Sequence, residues 1–168
     1  MAVNAYLVID GIDGPSTSRT KAIDCLSFSF GASNTATYGV GASGMESKAG
    51  RADFSNLNIM KVLDKTSSLL FGACIGATVL KSVVLYYDKT VGSATKPEQA
   101  DYFKITLQDA IVTSQQLSGS SENPTESISF AFNAVEVSYA AQKTDGTLDS
   151  FVPKGFSLET LAAWTAPA

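Results

Sequence analysis

Between Thr125 and Ala141 the chain alternates like one long β-strand, but the alternation changes phase part-way along. Ile128, Phe130 and Phe132 share one parity, whereas Val135, Val137 and Tyr139 share the other. Strand side chains repeat every two residues, so a phase change near Asn133-Ala134 demands a bulge or a strand that leaves one sheet for another. Strands bent this sharply belong to small barrels and to sandwiches with shared corner strands. Another interruption falls near Asp109, where the alternation of Phe103, Ile105 and Leu107 breaks before Ile111 and Val112 resume it. The expected fold is mainly β: a small β-barrel of two packed antiparallel sheets, built as one domain over 1–168.

One segment departs from the strand pattern. From Gly50 to Lys89 the order reads strand, short helix, strand. Phe54, Leu57, Ile59 and Leu63 lie on an extended stretch, and Thr66, Ser67 and Ser68 then offer helix caps. Leu69 to Ile75 is apolar, and Gly76 can close the helix in a left-handed conformation. Leu70 and Cys74 are four apart, as are Phe71 and Ile75, which gives this one short helix a stripe to bury on the barrel's flank. Leu70, Phe71 and Cys74 are the residues expected in that contact. Gly72 inside a helix is costly and implies close backbone packing there.

Ala22 to Phe30 alternates, with Leu26, Phe28 and Phe30 on an inner face and Ser27 and Ser29 on a small polar outer one. Gly31 to Gly50 follows as a long loop of Gly, Ala, Ser, Asn and Thr. Loops of that length inside a compact domain usually serve a function. Tyr38, Val40 and Met45 are embedded in it, so it is expected to dock on something, such as a neighbouring copy. From Gln142 the chain turns polar, and Phe156, Leu158 and Leu161 offer a last strand or docking segment before a fraying end.

Composition narrows the chemistry. The 168 residues contain no histidine, which removes the commonest general base, the Ser-His and Cys-His pairs and the usual transition-metal ligand. Cys25 and Cys74 match no zinc or redox spacing. They read as reduced, buried thiols, or as one disulfide in an oxidising compartment. Asp10/Asp13 and Glu122/Glu126 flank turns and read as solvated carboxylates, and no glycine-rich phosphate cradle follows a strand. No catalytic, cofactor or metal residue is therefore assigned. A net charge of −4 argues against nucleic acid as a partner, and no apolar run is long enough for a membrane span. Met1-Ala-Val-Asn lacks the basic and apolar regions of a signal peptide. The chain is expected to fold in the cytoplasm and to leave, if it does, by a route that reads no such signal.

Taken in order, several segments resemble the haemolysin-coregulated protein (Hcp) family, the inner-tube proteins of type VI secretion. Ile9-Asp-Gly-Ile-Asp-Gly resembles the family's first hairpin, and Ile23-Asp-Cys-Leu-Ser-Phe-Ser-Phe-Gly31 its second strand. Ala52-Asp-Phe and Ile59-Met-Lys-Val-Leu-Asp-Lys65 resemble the strand that precedes its helix. Phe103 to Ser114 and Glu126 to Gly146 resemble its long C-terminal hairpin. Each is only an alternating strand; their order and spacing carry the likeness, over roughly Met1 to Thr147. Arg19-Thr-Lys21 stands where members often carry a histidine, Pro15 where they carry a glutamate, and the tail from 150 to 168 aligns poorly.

The resemblance implies hexameric rings that stack into a hollow tube, driven out by a contracting sheath, capped by a spike protein and carrying effectors in the lumen. It implies a luminal position for Ser27 and Ser29, against the plainer reading that they only face solvent. A tail-tube subunit of a phage or phage-like contractile injection particle shares the same architecture and is the alternative. A monomeric ligand-binding barrel fits less well, because Phe28, Phe30, Phe130 and Phe132 would fill so small an interior.

Overall fold

In the computed structural model, which describes residues 4–41, 44–48, 50–93, 95–120 and 122–168, one bent sheet of ten strands supplies most of the molecule. The chain begins with β1 (Asn4–Ile9), β2 (Ile23–Cys25), β3 (Ser27–Ser29) and β4 (Ala32–Asn34). It continues through β5 (Thr37–Gly41), β6 (Gly44–Lys48), β7 (Ala52–Phe54), β8 (Leu57–Val62) and α1 (Ser67–Ile75). The second half holds β9 (Val79–Ser93), β10 (Lys96–Ser118), β11 (Thr125–Ala131), β12 (Ala134–Tyr139), β13 (Val152–Ser157) and β14 (Ala162–Ala163). The pairings described here are antiparallel.

β10 is the spine. One edge pairs with β9 from Lys96 to Ile111; the other pairs first with β12, over Phe103–Gln108, and then with β11, over Ile111–Ser118. The handover takes place at Asp109, whose φ of 49° is left-handed, and at a register shift between Val112 and Ser114. Across the corner the Asn133 N–H donates to the Gln108 carbonyl at 3.0 Å. Both phase changes in the sequence therefore mark one event, the passage of two paired strands around a corner. The path β14-β13-β12-β10-β11-β8-β3 folds over the β2-β1-β9 layer without closing, so the barrel is an open one among the described residues.

Leu7, Ile9, Val83, Leu85, Ile105 and Leu107 meet Leu57, Ile59, Ile128 and Phe130 in the core, and Leu70 of α1 joins them. Rings fill the rest. Phe28, Tyr87 and Phe103 form one cluster with centroids 5.3–6.3 Å apart. Phe30, Phe132, Phe54 and Phe156 form a second, linked at 5.6–6.2 Å. Leu26 is not part of this interior: it is 60% exposed, because the chain changes partner there, from β1 through β2 to β8 through β3. The tail is integral. β13 pairs with β12 along six residues, and the Ala166 N–H donates to the buried Glu136 carboxylate at 2.6 Å.

The helix is held by ions. Lys61 and Glu126, both buried, are directly opposed partners on β8 and β11 and form a salt bridge. Lys61 Nζ also reaches Asp64 at 3.1 Å, and Glu126 accepts from Ser67 Oγ at 2.8 Å and from Gln115 Nε2. Ser67 Oγ in turn accepts the Asp64 N–H at 3.1 Å. The first turn of α1 is thus fastened to both strands, with acceptors at the end where the helix dipole favours negative charge. Glu126 is therefore no solvated turn carboxylate. Its parity matches Ile128 and Phe130, and that places it inside. The helix ends differently from the expectation too: Gly76 is right-handed at φ −86°, and Ala77 takes the left-handed position at φ 47°.

Removing one member of a buried pair leaves the other charged and unpaired, so Lys61→Met should cost about 3–5 kcal/mol in urea unfolding. Adding Glu126→Leu should recover about 2 kcal/mol or more, against the expectation of simple addition. Strictly additive losses would show that the pair does not anchor the helix.

Candidate functional site

The outer face of β3, β8, β11 and the end of β10 is built by register. Ser29, Asn58, Ser129 and Ser114 form one row across the four strands, and Ser27, Met60, Ser127 and Gln116 form the next. Their neighbours Phe28, Ile59 and Ile128 point inward, so these eight point outward. Asn58 Oδ1 accepts from Ser129 Oγ, and Asn56 Nδ2 donates to Thr113 Oγ1 at 3.1 Å. No charged residue lies in either row. Ser27 and Ser29 are exposed on this plate; the sequence pointed to these two, and the strand register adds the rest.

The layer of β1, β9 and the first half of β10 has a different surface. There Arg19 grips Asp101 with both arms, at 2.7 and 2.8 Å, while its guanidinium lies 3.8 Å from the centre of the Tyr86 ring. Asp88 stands directly across from Asp101, buried, with Oδ1 unpartnered. Burial, with Asp101 adding to it, raises its carboxyl above the usual range; Asn4 and Arg19 pull the other way. Lys81 and Lys104 line the same surface as Tyr86. Ions cover one face and are missing from the other.

The stretch from Gly31 to Gly50 is not a loop. β4 pairs with β7, and β5 with β6 forms a separate two-stranded ribbon in which Val40 and Met45 are register partners. Tyr38 is 78% exposed; the side chains of Val40 and Met45 lie outside the described residues. Hairpins of two strands are marginal in water unless something packs on them.

In α1 the buried side is Leu70 and Ala73, with Cys74 half-buried against the core. Phe71 does not join them: it is 51% exposed. At 100° per residue it lies a quarter-turn away from Leu70, and the ion network fixes the helix with Leu70 inward. Gly72 meets nothing within the subunit either, since a Cβ there would have no neighbour within 4 Å. Cys25 and Cys74 are free thiols, and burial pushes Cys25 up to about 12. Among the described residues no cluster of acidic and cysteine side chains is arranged to hold a metal ion, and no helix is long and apolar enough to cross a membrane.

Known proteins give this arrangement its context. The family model described as type VI secretion system effector, Hcp, matches residues 6–139. The protein hcp1 of Pseudomonas aeruginosa is 31% identical over 153 residues, covering 89% of this chain and 90% of its own. A solved type six secretion system protein superposes with a TM-score of 0.85 at 28% identity, over 97% of this chain and all of its own. Hcp1 from Salmonella typhimurium superposes with a TM-score of 0.75 at 24% identity, over 98% of this chain. The open barrel with one flanking helix is that of a type VI secretion tube subunit. This chain belongs to the Hcp family.

A carboxyl whose folded-state value is raised takes stability away as pH climbs through that range, because the folded state holds its proton longer. Asp88→Asn keeps an acceptor toward Asn4 and removes the charge facing Asp101. It should raise the melting temperature at pH 7, and the gain should disappear below the ordinary carboxyl value of 3.8. An equal gain at pH 7 and pH 3 would place its origin elsewhere.

Proposed function

We propose that six copies of this chain close into a ring, that rings stack into the hollow secretion tube, and that the Ser27/Ser29 plate faces the lumen and carries effector proteins. The subunit is structural and performs no catalysis. Spike, sheath and effector proteins are its partners. It is made in the cytoplasm and leaves through the type VI apparatus. Family membership favours this reading over a phage tail tube.

The observation that carries the luminal assignment is the absence of charge from both rows of the plate. A wall that must hold varied cargo and release it needs hydrogen-bonding groups that are small and easily rehydrated. Fixed ions would select by charge; Met60 is the one large apolar side chain in the two rows, and the other seven are hydroxyl or amide groups. Ser29→Glu with Ser127→Glu should leave rings visible by negative-stain microscopy while reducing co-purification of effectors. Rings lost in this variant would make the plate an interface instead, and unchanged cargo would take it out of the lumen.

The β5–β6 ribbon, with Tyr38, Val40 and Met45, is proposed to reach across to another subunit. Its exposed tyrosine and its pairing with no other strand among the described residues support that role. Replacing Tyr38 and Val40 with serine should spare the melting temperature of the dispersed subunit and weaken stacking of rings. Hydrogen exchange in residues 37–48 should be slower in tubes than in subunits; equal rates, with stacking unimpaired, would refute the contact.

A further inference from the structure

Register sets three pairs side by side on the outer face of β9 and β10: Ser82 with Gln108, Val84 with Thr106, and Tyr86 with Lys104. Their chain neighbours Val83, Leu85, Ile105 and Leu107 belong to the core, so these six point outward. They floor a hollow of about 500 Å³, a size typical of small-molecule sites. Lys81 also lines it, and the tail closes one side with Trp164 and Pro167.

Charge in the hollow has one sign. Lys81 adjoins the Ser82 row and Lys104 stands in the Tyr86 row, so the two ammonium groups enter from opposite ends. The rows are about 14 Å apart along the strand, at roughly 3.4 Å per residue. Among the described residues no ion pair joins either lysine to a carboxylate, and no aspartate or glutamate lines the hollow. Lys104 Nζ lies 5.0 Å from the centre of the Phe151 ring. Each end also has neutral donors: Ser82 and Gln108 beside Lys81, and the Tyr86 hydroxyl beside Lys104. None of these three side-chain tips is hydrogen-bonded to another described residue. The middle is different, with Val84 on the floor and Trp164 and Pro167 in the wall. On the β1 side a second hollow carries Asp10 and Asp13, which repel negative charge and confine it beneath the tail.

The wall is fixed in place. The Trp164 N–H donates to the Gly155 carbonyl at 3.0 Å, and the Ala166 N–H to the buried Glu136 carboxylate at 2.6 Å. Gly155 is required for this approach, because a Cβ there would stand 2.3 Å from the Trp164 carbonyl oxygen.

We propose that this hollow binds a small organic dianion, with two carboxylate or phosphate groups joined by an apolar middle. One charged end pairs with Lys81, the other with Lys104, and the middle lies between Val84 and Trp164. Ammonium groups act as point charges toward either anion, so spacing and charge set the selectivity rather than the shape of the head group. The site is complete within one subunit and does not rest on the ring reading.

Trp164 is the single tryptophan of the chain and reports on the site directly. Suberate should change its fluorescence saturably, with calorimetry giving the same dissociation constant and added sodium chloride weakening it. Octanoate, with one charge, and succinate, with a short middle, should each bind on the order of tenfold or more weakly, as loss of one charged hydrogen-bonded end predicts. Lys81→Gln and Lys104→Gln should leave the melting temperature unchanged and bring suberate down to the level of octanoate. No saturable response to suberate by either method would overturn the site. Octanoate binding as tightly as suberate would overturn the second charged end, and succinate doing so would overturn the span. Suberate affinity unchanged in both lysine variants would place binding elsewhere and overturn the assignment.

Discussion

Everything in this subunit depends on β10 serving two partners along one edge. A strand that pairs with β12 and then with β11 must turn between them, and the turn is made by a left-handed Asp109 and a skipped residue after Val112. The strands on the far side have to turn with it, so the chain breaks regular pairing at Phe132-Asn133 and re-enters with its parity reversed. From that corner follow the two layers and the core between them. The seam where Phe30, Phe54 and Phe156 gather lies between β12–β13 and the segments beside β3. Where the ladder is interrupted, the Asn133 N–H still finds a partner in the Gln108 carbonyl, which ties the two turning strands together.

Much of this was legible from side-chain period alone. The phase change at Asn133-Ala134, the break at Asp109 and the single helix over 67–75 all correspond to real elements, because burial on one face of a strand or helix writes itself into the order of residues. Two kinds of feature were not legible. Leu26 and Phe71 look like core residues and are exposed; their fate depends on where a strand changes partner and on how a helix is rotated, which are tertiary facts. Lys61 and Glu126 look like surface residues and are buried. Here the signal was available: each continues the inward parity of Ile59 or Ile128, and opposite charges on facing inward positions can pair. Residues 31–50 misled because β-strands rich in Gly, Ala and Ser lack the branched side chains by which strands are recognised.

The two outer faces show how one sheet system serves two physical tasks. Charged and aromatic side chains interlock on the β9–β10 face, where Arg19 ties the first turn of the chain to Asp101 across Tyr86. The serine, asparagine and glutamine groups of the plate, with Met60 among them, form single cross-strand hydrogen bonds such as Ser129 to Asn58, and exposed groups of this kind can exchange partners. Rigidity comes from beneath it, from Ile59, Ile128 and the ion pair that fastens α1. A surface can be chemically permissive only if something else keeps it flat.

Cys25 lies in the interior beside this framework, its thiol directed at the Ile23 carbonyl at 3.6 Å and its acidity suppressed by burial. Nucleophilic attack on oxidants and disulfides requires the thiolate, and at neutral pH almost none is present. A subunit that passes from a reducing compartment into an oxidising one can therefore make the crossing with Cys25 inert: its strand neither becomes locked to a stranger nor needs a reductant on arrival. For Cys25, resistance to oxidants comes from withholding reactivity rather than from cross-linking.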